Sequence, residues 1–240
     1  MIKKVIILGG CGGIGRILVS HALIEGYEVH VVDLPESIEA HPPEVPSIAA
    51  NATSVADLEH AADALPQDIS GFVNLSGFMD ENCSVLDTKL DRWEEIINGN
   101  LTASYNAARA FCPKLRKGSA IVMTGSGLAH FARPGYGPYA ISKAGITALT
   151  RQLALELAPN VRVNCVVPSA VDTAFLRGGT GRSDENQNPR IDFVEYVKAV
   201  PLGRIAEPKD VSGPILFLLS DASRYITGQI LHVNGGTFMP

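Results

Sequence analysis

Apolar residues in this chain fall into short blocks, and most blocks are followed by a stretch where they recur every three or four positions. Val5-Ile6-Ile7-Leu8 and Ala120-Ile121-Val122-Met123-Thr124 are nearly unbroken apolar runs, the pattern of a parallel strand covered on both faces. Glu28-Val29-His30-Val31-Val32, Ser47-Ile48-Ala49-Ala50, Gly71-Phe72-Val73-Asn74-Leu75 and Val161-Arg162-Val163-Asn164-Cys165-Val166-Val167 read as four more strands, and the segment from Ile226 to Gly236 supplies a last strand and turn. Helical spacing follows in Ile14, Ile17, Leu18 and Ala22, and in Leu58, Ala61, Ala62 and Leu65 behind a Thr53-Ser54 cap. It recurs from Asp91 to Phe111, from Gly137-Pro138 to Leu157, and from Pro208 to Leu219. Strands alternating with helices predict an α/β fold: a doubly wound parallel sheet of about seven strands, in a single domain spanning 1–240. Residues 35–46 carry four prolines without periodicity and read as a surface connection. Residues 174–200, with Gly178-Gly179-Thr180-Gly181 and a polar run to Pro189, read as a lid over a substrate.

The strand ends carry the chemistry, because an open sheet of this kind binds its ligand at the carboxyl ends of its strands. After the first strand comes Gly9-Gly10-Cys11-Gly12-Gly13-Ile14-Gly15, whose glycines let backbone approach a pyrophosphate while the amides opening the helix at Ile14 bind it. The second strand ends at Asp33, eighteen residues after Gly15. A carboxylate there accepts from an adenosine ribose and repels a 2′-phosphate, which favours NAD(H) over NADP(H); the alternative is an ordinary turn aspartate after a strand. Arg16, a base beside the glycine turn, is read as pointing along the helix surface, with a phosphate contact as the alternative.

Tyr139 and Lys143 lie at i and i+4 near a helix start, so both project from one face. A free phenol titrates near 10, and working at neutral pH calls for a shift of about 3 units, or roughly 4 kcal/mol. A cation about 4 Å away at an effective dielectric near 20 supplies that much. Lys143 is therefore expected to lower the Tyr139 pKa, with the Ser126 hydroxyl polarising a substrate oxygen beside it. Alone, such a pair is as readily a packed ring next to a solvated amine.

Ser126 followed thirteen residues on by Tyr139-Ala140-Ile141-Ser142-Lys143 resembles the Ser and Tyr-x-x-x-Lys set of the short-chain dehydrogenase/reductase family. The likeness covers essentially the whole chain and implies a Rossmann fold. Its glycine motif, Thr-Gly-x-x-x-Gly-x-Gly, maps onto Leu8, Gly9, Gly13 and Gly15, with Leu8 departing from the threonine. The lost hydroxyl removes a bond worth about 1 kcal/mol. Asn51-Ala52 stands where the family has an Asp and a small apolar residue beside the adenine, and Asn74-Leu75-Ser76-Gly77 is similar to its Asn-Asn-Ala-Gly. Asn74 either meets the ligand or braces the turn. Pro168-Ser169-Ala170-Val171-Asp172-Thr173 is similar to Pro-Gly-x-Val-x-Thr, which implies nicotinamide contacts from Pro168, Val171 and Thr173. The resemblance implies catalytic roles for Asn100, Ser126, Tyr139 and Lys143, with Asn100 keeping a water path from Lys143 to solvent, and Tyr139 and Lys143 also gripping the cofactor. Without it, Asn100 would pass for a tolerated exposed residue in mid-helix.

The implied activity is NAD-dependent interconversion of a secondary alcohol and its ketone, with Tyr139 as general acid/base. Reduction of a 3-oxoacyl thioester uses the same chemistry and normally takes NADPH. A non-catalytic NAD(H)-sensing regulator is the alternative of another class. In the lid, Phe175, Leu176, Phe193 and Tyr196 offer apolar wall, and Arg177, Arg182 and Arg190 are read as solvated loop charge before anion binders.

Composition narrows the partners. With 240 residues, 46% hydrophobic and 19% charged, the chain buries one large core. A net charge of −5 argues against nucleic acid or an anionic membrane and for a small-molecule alcohol or ketone. Cysteines 11, 83, 112 and 165 have no metal-ligand spacing and read as reduced thiols, so no metal is expected and the cytoplasm is the expected compartment. No stretch reads as a signal peptide or a membrane span. The family likeness implies a homo-oligomer, a tetramer or a dimer.

Overall fold

The computed structural model describes residues 2–79, 83–182 and 185–240. In chain order it forms β1 (Lys3–Leu8), α1 (Gly13–Ile24), β2 (Tyr27–Asp33), α2 (Pro35–Ala40), β3 (Ser47–Ala49), α3 (Val55–Ala64) and β4 (Ile69–Asn74). Then come α4 (Leu90–Ile97), a π-helical turn (Asn98–Thr102), α5 (Ala103–Phe111), β5 (Leu115–Thr124) and α6 (Gly137–Leu157). The chain continues through β6 (Val161–Pro168), a 3₁₀ turn (Ala174–Arg177), α7 (Phe193–Lys198), α8 (Pro208–Leu219) and β7 (Ile230–Val233).

All seven strands pair in parallel in one sheet, in the order β3-β2-β1-β4-β5-β6-β7. The doubly wound parallel sheet is therefore as the sequence predicts. Alternate residues of each central strand enter separate cores. Ile6 and Leu8 of β1 join Phe72, Ile121 and Val163 under α3, α5 and α6, whereas Val5 and Ile7 join Val73, Val122 and Val166 under α1 and α8. Burial on both faces explains why these strands read as continuous apolar runs rather than alternating ones. Phe72 and Phe111, both fully buried, meet edge to face at 5.2 Å, and each contributes about 1.5–3 kcal/mol by leaving water.

The strand order reverses between β1 and β4, and past Leu8 the chain turns toward β2. Gly9 N–H donates to the carbonyl of Val32, while Leu75 N–H donates to that of Leu8. A crevice opens at this switch point, outside the carboxyl ends of the strands.

Two local expectations need correction. Residues 35–46 are not connection throughout: Pro35 occupies the first turn of α2, where its fixed φ suits a helix and its missing N–H is no loss. Six residues are too few to show periodicity. The polar Asn98-Gly99-Asn100 does not continue an α-helix but forms the π turn, which separates α4 from α5. The Ser54 cap is as expected, its hydroxyl accepting from Asp57 N–H at 3.2 Å.

Candidate active site

The glycine turn is tight because it must be. A Cβ on Gly15 would run into the Gly9 carbonyl and the Gly10 backbone, so the start of α1 packs directly on the loop that precedes it. Gly9, Gly13, Ile14 and Gly15 line a cavity of about 460 Å³. Asp33, Asn51 and Ala52 line the same cavity, as do Ser126, Tyr139, Lys143, Pro168, Val171 and Thr173. Residues far apart in sequence thus face one space because the loops after the strands and the helices α1 and α6 meet at the same sheet edge.

Asp33 is held by backbone. Its Oδ2 accepts from Cys11 N–H and its Oδ1 from Leu34 N–H, both at 2.8 Å. Burial raises its pKa, and these amides oppose the rise. Asn51 uses its carbonyl oxygen locally, accepting from the Thr53 amide and hydroxyl at 3.0 and 2.8 Å.

Asn74 and Asn100 do not line the cavity. Buried Asn74 donates to Ser104 Oγ at 3.0 Å and accepts from the Ser76 amide and hydroxyl at 3.0 and 2.6 Å, bracing the turn after β4. Fully buried Asn100 donates to the carbonyls of Phe78 and Ile96, each at 2.9 Å, and accepts from Phe78 N–H at 3.2 Å. Gly77 separates Asn100 from Lys143: a Cβ there would stand 2.5 Å from Asn100 Oδ1 and 3.3 Å from Lys143 Nζ. Both asparagines therefore stand behind the crevice and shape its floor. The serines that complete this network, Ser76 and Ser104, escape sequence reading because their partners are 2 and 30 residues away, with no periodic mark.

Tyr139 and Lys143 are both buried on α6, with the ammonium 5.7 Å from the phenol ring centroid and donating to the Thr124 carbonyl at 3.1 Å. Burial pushes the Tyr139 phenol up to about 12, with the Ser126 hydroxyl bonded to it pulling the other way. Burial pushes Lys143 down to about 8, with Cys165 opposing. The fold does not show the expected lowering of Tyr139 by Lys143: burial raises the phenol and lowers the amine. The result is a phenol that keeps its proton at neutral pH, the state a proton donor requires. Thr124 Oγ1, also facing the cavity, is buried without a hydrogen-bond partner. An orphaned hydroxyl beside that lysine, facing the same space as the glycine turn and the Asp33 carboxylate, fits a hydroxyl-rich dinucleotide.

Phe175, Leu176 and Tyr196 line the cavity, and Phe175 lies 6.1 Å from the Tyr139 ring. Phe193 packs behind them. The three arginines of this segment are not loose solvent charge. Arg177 donates to Asp172 Oδ1 and the Thr173 carbonyl at 2.9 and 3.0 Å, and Arg190 to the Met79 carbonyl at 3.0 Å. Arg182 lies 4.0 Å over the Phe78 ring and 3.4 Å from Glu95. Residues 183 and 184 of the expected lid lie outside the described residues. Among the described residues no group of three or more metal-ligating side chains occurs, and no helix is long and apolar enough to cross a membrane.

Residues 10–237 match a family profile described as enoyl-(acyl carrier protein) reductase. The chain is 31% identical over 249 residues to the 3-oxoacyl-(acyl-carrier-protein) reductase FabG of Thermotoga maritima, covering 98% of this chain and 97% of that one. A short-chain dehydrogenase/reductase of Brucella melitensis, titled a glucose/ribitol dehydrogenase, superposes with a TM-score of 0.87 at 27% identity, covering 99% and 97% of the two chains. A 3-oxoacyl-(acyl-carrier protein) reductase of the same organism, solved with bound NAD, gives 0.85 at 26% identity, covering 99% and 92%.

Proposed function

Since the chain belongs to the short-chain dehydrogenase/reductase family and is an oxidoreductase acting on CH–OH or keto groups, we propose that it reduces a 3-oxoacyl thioester with NADH. The observation that carries this reading is the meeting of Ser126, Tyr139 and Lys143 with the glycine turn and Asp33 around one cavity. NAD(H), when bound, supplies or takes the hydride at the carbinol carbon. Tyr139 gives its proton to the oxygen that becomes the alcohol, and the Ser126 hydroxyl holds that oxygen. Lys143 restores charge balance at the phenol and grips the ribose. Asn100 fixes the Phe78 backbone beside it and keeps the proton path to solvent.

A phenol protonated well above neutral pH favours the reductive direction, in which it donates. The conflict expected from sequence, thioester reduction with NADPH against an Asp33 that favours NAD, eases because the Brucella reductase was solved with NAD. Gly9, Gly13, Ile14 and Gly15 would hold the pyrophosphate, Asp33 the adenosine ribose, Asn51 and Ala52 the adenine, and Pro168, Val171 and Thr173 the nicotinamide. Asn74 would act by bracing the turn beneath it.

Oxidation of a free secondary alcohol is the second reading, favoured by the glucose/ribitol name of the other Brucella relative. The test is NADH consumption by the purified protein with acetoacetyl-CoA as the thioester, set against NAD reduction with a panel of polyols and secondary alcohols. Turnover of the thioester at least tenfold faster supports the first reading; the reverse order supports the second. NADH binding without turnover on either panel would leave only the sensor. In cells we place it in the cytoplasm as a homo-oligomer, a tetramer or a dimer.

A further inference from the structure

Arg16, the base beside the glycine turn, does not run free along α1. Its Nη2 lies 4.0 Å from Glu185 Oε2, and its Nη1 is buried with no hydrogen-bond partner. The same carboxylate is met by His41 at the end of α2, whose Nε2 is 3.2 Å from each oxygen. Close by, the Ser37 hydroxyl of α2 donates to the Thr180 carbonyl at 3.1 Å, and both residues line the cavity with Asp33. Arg16 directly follows Gly15, which lines that cavity together with Asp33, Ser37 and Thr180.

We propose that Glu185 is a cofactor-selectivity residue: it occupies Arg16, the base that follows the glycine turn, and so withholds it from a 2′-phosphate on the adenosine ribose. The idea rests on the dinucleotide reading above. Asp33 repels the phosphate from the end of β2. Glu185 acts through Arg16, with His41 at the end of α2 meeting the same carboxylate. A guanidinium released from Glu185, with one nitrogen already lacking a partner, is the fork that pairs with phosphate. The rejection of NADP(H) is thereby divided between two elements.

The test is a fluorescence titration of NADH and NADPH on wild type, Glu185→Gln, Arg16→Met and the double variant. Glu185→Gln is expected to tighten NADPH about tenfold, the size of one charge-assisted contact, and to leave NADH within about twofold. The double variant is expected to return NADPH to the wild-type value. An unchanged NADPH-to-NADH ratio in Glu185→Gln, or a gain that survives Arg16→Met, overturns the proposal. Loss of NADH binding in Glu185→Gln also overturns it, since the residue would then serve the fold. The wild-type ratio reports on Asp33 separately: a wild type that prefers NADPH sinks the NAD reading, while only the change on substitution bears on Glu185.

Discussion

Asn100 and Phe78 are joined by two hydrogen bonds in opposite directions, the side-chain amide donating to the Phe78 carbonyl at 2.9 Å and accepting from its N–H at 3.2 Å. The π turn matters here, because Asn100 lies within it, fully buried and facing the loop after β4. Substituting Asn100→Ala removes the side-chain partner of the buried Phe78 amide and of the Phe78 and Ile96 carbonyls. Unfolding free energy is expected to fall by about 2–4 kcal/mol, read by urea denaturation, with activity reduced as Gly77 and Phe78 shift. A variant as stable as wild type would show that water satisfies these groups.

Gly77 fills the gap between Asn100 and Lys143 with backbone alone. Its φ of 140° and the 2.5 Å approach that a Cβ would make to Asn100 Oδ1 leave no room for alanine. Gly77→Ala is expected to cost about 2 kcal/mol in stability and to lower kcat more than it raises KM for NADH, because the displaced groups stand beside Lys143. Steady-state kinetics over NADH concentration separates the two effects.

Tyr139→Phe removes the phenol oxygen and leaves the ring that packs near Phe175. A fall in kcat of about 10²–10⁴ is expected, with the NADH dissociation constant unchanged within about twofold. Full turnover by this variant would remove Tyr139 from the chemistry.

How much of this was legible in sequence depended on whether the cause was local. Val5-Ile6-Ile7-Leu8 announced β1 because both faces are covered, and Pro138 marked the first turn of α6 because a missing N–H is harmless there. The anchoring of the lid arginines was hidden: Arg182 meets Glu95 across 87 positions, which no spacing rule reaches. The titration of Tyr139 is hidden from the sequence for a related reason. A charged neighbour four residues away is visible in the chain, but the burial that outweighs it belongs to the whole fold. The two asparagines were found as positions and not as contacts, since Asn74 and Asn100 work from behind the crevice.

Lys143 makes stability depend on pH with a sign that its burial fixes. Its pKa in the fold is about 8 against an ordinary 10.5. Between those values the unfolded chain binds more protons than the folded one, so this residue adds stability as pH rises through the window. Below about 8 the fold carries a buried ammonium, a penalty of about 3 kcal/mol. Lys143→Met removes the penalty at every pH. The variant is therefore expected to gain most over wild type near pH 7, with the gap closing by about 2 kcal/mol as pH approaches 10. The comparison stops there because Tyr139, raised to about 12, begins to act in the opposite sense once a free phenol ionises. Urea denaturation of both proteins at several pH values from 7 to 10 reads the gap directly, and a gap that stays constant would mean that Lys143 titrates at its ordinary value.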